Sequence, residues 1–159
     1  MFRLSIWIAT AAAALAVAGT AAADRGVRPA EPAGTYMVSV VKEKLSADYA
    51  SAWKTLYPRH QRVATHDAYV ACESLTPDAG TMLSVSALRA YNERIPVAGR
   101  GGMTRTKAVD VRVTVDSPLV TFPVVIEQTF HAISVNGRWR WILSHDQYRY
   151  YRDGDCPYA

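Results

Sequence analysis

The spacing of apolar residues changes in kind once along the chain, from helical to extended. From Thr35 the residues Val38, Val41 and Leu45 recur at three- and four-residue intervals, which predicts a helix with one buried stripe. Ser46-Ala47-Asp48 then places a hydroxyl where a cap is needed and a carboxylate in a first turn. A second helix is predicted from Ala47 to Tyr57, with Tyr49, Ala52, Trp53 and Leu56 on one face and Pro58 ending it. Thr65 repeats the device ahead of a third short helix from His66 to about Glu73, with Asp67 in its first turn.

Past the turn signal Thr76-Pro77-Asp78-Ala79-Gly80 the period becomes two. Between Thr106 and Val115 the apolar residues Val109, Val111, Val113 and Val115 alternate with Asp110, Arg112 and Thr114, a half-buried strand. In the next run, Val120 to Val135, one face carries Val120, Phe122, Val124, Ile126, Phe130 and Ala132. The other carries Thr121, Glu127, Thr129 and His131. Asn136-Gly137 follows, a strong hairpin signal. A two-residue turn there pairs Val135 with Arg138, Ala132 with Trp141 and Phe130 with Leu143, so the apolar sides coincide. A loop of Asp116 to Leu119 would likewise pair Val115 with Val120, Val113 with Phe122, Val111 with Val124 and Val109 with Ile126. Both agreements predict an antiparallel meander, with Pro123 at a bulge or bend. A less regular strand is expected within Met82 to Val97, and Gly99-Arg100-Gly101-Gly102 would be its loop.

The N-terminus follows neither pattern. Arg3, an apolar stretch from Leu4 to Val17 and a small-residue exit ending Ala21-Ala22-Ala23 read as a cleavable signal peptide over residues 1–23. Asp24 to Gly34, rich in proline, glycine and charge, reads as a flexible lead-in, leaving 35–159 as one domain. Export to the periplasm, cell envelope or exterior is expected. No later window holds the apolar run of about 18 residues that a spanning helix needs. Removing the signal deletes Arg3 alone among charged residues and lowers the formal charge from +4 to +3. The remaining Lys and Arg are scattered, so nucleic acid is not an expected partner. Two cysteines in an exported chain, Cys72 and Cys156, are expected to form a disulfide. Closing so long a loop without strain stabilises by up to about 4 to 5 kcal/mol in the chain-entropy account.

This layout resembles the NTF2-like superfamily, also called the cystatin-like or ketosteroid-isomerase-like fold. The likeness lies in Val41 to Pro58, similar to that family's two-helix opening with an acid (Asp48) at the hinge, and in the closing strand Asn136-Gly137-Arg138-Trp139-Arg140-Trp141-Ile142-Leu143. It implies an α+β fold in which N-terminal helices pack on a curved antiparallel β-sheet to form a conical pocket. Members include isomerases, small-ligand binders and accessory domains, so the fold does not settle the function. In the isomerases the base would fall near Asp67, whereas the position of their oxyanion-binding tyrosine falls on Val41. That departure removes a hydrogen-bond donor which enolate chemistry requires.

Polar residues on the inward sheet face are the next candidates. The predicted register sets Gln128 opposite His145, either as a mutually bonded pair or as a group that orients a ligand or transfers a proton. Trp53 and Tyr57 are candidate binding aromatics that also suit a core. Tyr148-Arg149-Tyr150-Tyr151-Arg152 would form either a short terminal turn in which arginines stack on rings or a contact surface. His60, His66, His131 and His145 show no metal-ligand spacing. No cofactor motif is present either. The expectation is a non-catalytic exported module that binds a small apolar ligand at Trp53, Tyr57, Gln128 and His145 or serves as an accessory domain. Two alternatives stand beside it: an enzyme using Asp67 or His145 as general base, and a homodimer formed through the outward face of Glu127, Thr129, His131 and Ile142.

Overall fold

The computed structural model describes residues 32–77 and 80–157, so the predicted signal segment and residues 24–31 of the lead-in lie outside it. Four helices come first: α1 (Ala33–Leu45), α2 (Tyr49–Thr55), α3 (Pro58–Gln61) and α4 (His66–Glu73). Four strands follow, β1 (Thr81–Pro96), β2 (Met103–Asp116), β3 (Val124–Val135) and β4 (Arg138–Trp141), then a closing helix α5 (His145–Asp153). The strands form one antiparallel, open and curved sheet in the order β1-β2-β3-β4. The architecture is α+β, as the change of period predicts.

α1 begins two residues before Thr35, and its buried stripe is rotated from the predicted one. Tyr36, Met37, Val40 and Val41 are buried, while Val38 is half-buried. Ser46 caps no second helix; its hydroxyl donates back to the Lys42 and Glu43 carbonyls at the end of α1. The chain turns at Ala47, in the left-handed region with φ +58°, and Asp48 becomes the N-cap, its carboxylate accepting from the Ser51 amide at 3.2 Å. Pro58 does more than end a helix. It occupies the first position of α3, where its missing N–H is no loss.

Val109, Val111, Val113 and Val115 are all buried and pack with Met37, Val40, Val41, Leu56 and Tyr69 in the main core. Burial at these positions contributes roughly 1.5 to 3 kcal/mol per large side chain. The hairpin at Asn136-Gly137 has the predicted register, Val135 opposite Arg138 and Ala132 opposite Trp141, with both turn residues at positive φ. The hairpin before it does not. Val115 pairs with Val124, Val113 with Ile126 and Val111 with Gln128, four residues beyond the predicted register. Pro118 and Pro123 account for the shift, because neither has an N–H to donate to a ladder. β3 therefore starts only after Pro123. The shift is even, so the inward set stays inward.

β1 carries one extra residue between Met82 and Ser84 and another between Ala87 and Arg89. These bulges, at Leu83 and Leu88, reset its alternation twice. At the other end of the chain, Ser144 and Gln147 form a capping box that starts α5 where a turn was expected. The predicted disulfide is present: Cys72 at the end of α4 is bonded to Cys156 beyond α5, 84 residues away.

Candidate functional site

β4 stops at Trp141. The Ile142 amide makes one more bond to the edge of β3, at the His131 carbonyl (3.1 Å), and the chain then leaves the sheet. Between the departing segment, β3 and the helices lies a cavity of about 530 Å³. Val41 and Leu45 of α1, Val113, Ile126, Phe130 and Trp141 supply apolar wall. Gln128, His145, Lys44 and Glu73 supply polar atoms.

Trp141 is the most heavily fastened residue of this wall. Its amide donates to the Tyr36 hydroxyl (3.0 Å), its indole N–H to the Ala52 carbonyl (2.8 Å), and its carbonyl accepts from the Tyr57 amide (2.9 Å). The Tyr36 hydroxyl also donates to the Thr55 carbonyl, and burial pushes that phenol above its ordinary value. One tyrosine thus ties α1, α2 and β4 together.

Lys44 lies over the Trp141 ring, its Nζ 5.3 Å from the ring centre, and reaches Glu73 Oε2 at 3.0 Å. The Tyr151 hydroxyl donates to Glu73 Oε1 at 3.1 Å. Glu73 is only 1% exposed, so this carboxylate is buried with both oxygens engaged. Neither Lys44 nor Glu73 stood out in the sequence. The one available signal was Glu73's position in the last turn of a helix, where an acid opposes the helix dipole and so needs a tertiary partner.

The predicted site residues divide. Gln128 and His145 both line the cavity, but they are not cross-strand partners. Gln128 is opposite Val111, and His145 is the first residue of α5, because the sheet ladder ends before reaching it. Trp53 and Tyr57 lie elsewhere. Trp53 packs half-buried on the main core, donates to the Ala64 carbonyl (2.8 Å) and meets the His66 ring edge-on. Tyr57 belongs to a second apolar cluster with Val97, Ile133 and Ile142. Asp67 is on the surface, its side chain 99% exposed, with His66 Nδ1 at 2.8 Å.

The outward face is a set of cross-strand polar contacts. Asp110 accepts from the Thr129 hydroxyl (2.6 Å) and from Arg89, and these bonds hold its carboxyl below the usual range. Arg112 meets Glu127 at 2.6 Å and His131 meets Glu93 at 2.8 Å. Ile142 does not share this open face as predicted. It is buried in the cluster with Tyr57, since the chain bends away from the sheet at that point.

His60 joins the pieces around the cavity rim. Its Nδ1 accepts from the Leu143 amide at 3.0 Å, so the proton must sit on Nε2, which donates to the Ala98 carbonyl at 3.0 Å. Burial pushes this imidazole below its ordinary value. Gly99, beside Ala98 with φ +69°, is pressed against the Tyr148 hydroxyl so closely that a Cβ there would sit 2.5 Å from it. The tip of the β1–β2 hairpin and α5 are thereby locked to the same rim. Among the described residues no group of His, Cys, Asp and Glu is arranged to hold a metal ion, and no helix is long and apolar enough to cross a membrane. No protein-family model matches the chain, and no curated protein does.

Proposed function

We propose that this protein is an exported, non-catalytic module whose cavity receives a small apolar ligand. The observation that carries the reading is the cavity itself: about 530 Å³, walled largely by aliphatic and aromatic side chains, with its Lys44–Glu73 charges paired to each other. Such a space favours an uncharged, apolar occupant, and a volume of several hundred Å³ is the size of a small-molecule site. A general base needs a carboxylate oxygen free to take a proton, whereas both oxygens of Glu73 already accept hydrogen bonds. The Cys72–Cys156 disulfide suits an oxidising compartment and supports export. On this reading the scaffold is NTF2-like, which the order of helices before a curved antiparallel sheet supports.

The test is binding of the apolar fluorophore N-phenyl-naphthylamine, alongside native mass spectrometry of protein purified from its own host. Saturable one-to-one binding is expected, weakened about tenfold or more by Gln128→Trp, which fills the cavity from an exposed position. Binding that ignores this substitution would remove the cavity from the function.

A further inference from the structure

The cavity opens along an unpaired sheet edge. β3 is bonded to β2 from Val124 to Ala132, but on its other side β4 covers only Ala132 to Val135, and Ile142 adds the single bond to His131. Backbone groups alternate sides along an antiparallel strand. Since the His131 carbonyl faces β4, the N–H and C=O of Thr129, Glu127 and Val125 face the same way, and among the described residues no strand meets them. The residues between them, Ile126 and Gln128, turn their side chains to the cavity.

The two edges of the sheet are not alike. The β1 edge has bulges at Leu83 and Leu88 and the charged residues Arg89, Glu93 and Arg94, the usual devices against strand addition. Between Val124 and Phe130 the β3 register is unbroken, with no proline, and its one charged residue, Glu127, is paired with Arg112 of β2. Val125 and Ile126 there are 57% and 43% exposed. A seven-residue edge in which Val, Ile, Thr and Phe predominate, left open beside an apolar hollow, is the arrangement that recognises extended peptides. Main-chain bonds give the affinity and alternate side chains enter the pocket.

We propose that this edge binds an extended peptide segment of a partner protein with apolar residues at alternate positions. The segment adds antiparallel to β3 and collinear with β4. Residues opposite Val125, Glu127 and Thr129 exchange main-chain hydrogen bonds with them, and residues opposite Ile126 and Gln128 place their side chains in the cavity. β4 is the precedent within the molecule, because it already occupies the same edge in the same direction a few residues further along. The proposal rests on the cavity being an apolar recognition site, and it makes the alternate side chains of a peptide its occupant in place of a free small molecule.

The probe is a blocked heptapeptide of alternating threonine and valine, titrated into the full domain by calorimetry. One-to-one binding is expected, weakened about tenfold by N-methylation of the threonines that face β3 and little affected by N-methylation of the valines, whose amides point away. Ile126→Lys should weaken it about tenfold as well, and the peptide should displace N-phenyl-naphthylamine. Absence of peptide binding, or binding indifferent to which amides are methylated, would overturn the proposal. So would sedimentation showing a stable dimer that excess peptide cannot dissociate, since a second copy would then own the edge. Fluorophore binding without peptide binding sinks the edge alone; failure of both sinks the cavity reading with it.

Discussion

The two ends of the sheet differ in what covers them more than in how apolar they are. At the helical end both faces are packed: Val109 and Val111 lie against α1 on one side, and Ile133 lies in the cluster with Tyr57, Val97 and Ile142 on the other. At the far end, where β2 passes into β3, Leu119 is 87% exposed and Phe122 63%. Both ends carry valine, leucine and phenylalanine. The core covers β2 as far as Val115, and the β2–β3 connection that carries Leu119 and Phe122 projects beyond it as the open end.

The largest expected effect sharpens that contrast. Met37 is fully buried in the covered end, and Met37→Ala should cost about 3 kcal/mol through lost contact and a residual cavity. Phe122→Ala should change stability by less than about 0.5 kcal/mol. Urea midpoints of the two variants provide the check. A Phe122→Ala loss as large as that of Met37→Ala would mean that the open end belongs to the core.

Next in size is the internal ion pair. Lys44→Met strips the cation from the Glu73 carboxylate, which keeps the Tyr151 hydroxyl as a donor in a site 2% exposed at the side chain. A buried acid stripped of its cation costs about 3 kcal/mol, and the double variant Lys44→Met/Glu73→Gln should recover most of it. Thermal unfolding of the two at neutral pH decides. Equal losses would show that the lysine stem, not its charge, does the stabilising.

How much of this was legible in the sequence follows the range of the interactions. Period-two alternation located β2 and β3, and Asn136-Gly137 fixed the last register, because both signals are local. The β2–β3 register differs by four because an apolar pattern fixes the face but not the offset, and Pro123, expected at a bulge or bend within the strand, instead precedes its first residue. β1 looked irregular because Leu83 and Leu88 each add a residue and reverse the parity. The disulfide came from counting cysteines. Gln128 and His145 were brought to one cavity, though not as strand partners. Lys44 on α1 and Glu73 on α4 meet only in the tertiary fold, which no spacing rule encodes.

The covered end should also be the acid-sensitive one. His60 has no exposure: burial lowers its value and the Ala98 bond partly offsets this. The titratable groups packed on it are the Tyr57 and Tyr148 rings, and Arg59 binds the adjacent Gly99 carbonyl. Protonating Nδ1 would set two donors face to face with the Leu143 amide. Below the ordinary histidine value of 6.5 the unfolded chain therefore takes up a proton that the folded chain refuses. Stability is full above that pH and falls as the pH drops through it, by at most about 1.4 kcal/mol per pH unit. Denaturant titrations between pH 7 and pH 5 should show this slope in the native protein and a flatter one in His60→Gln. An unchanged slope would place the sensitive group elsewhere.

The smallest effect tests whether the covered end is free of strain. Ala47 links α1 to α2 at φ +58°, a conformation that costs an L-residue with a Cβ roughly 1 kcal/mol and glycine almost nothing. The residue is exposed, so glycine removes no packing. It does loosen the unfolded chain, which offsets part of the gain. Ala47→Gly should therefore raise stability by about 0.5 kcal/mol, read as an increase of a few degrees in Tm. A loss of stability instead would mean that the unfolded-chain entropy outweighs the relief, and that the tight α1–α2 turn is set by the Asp48 cap and the packing around Trp141 with little strain at Ala47.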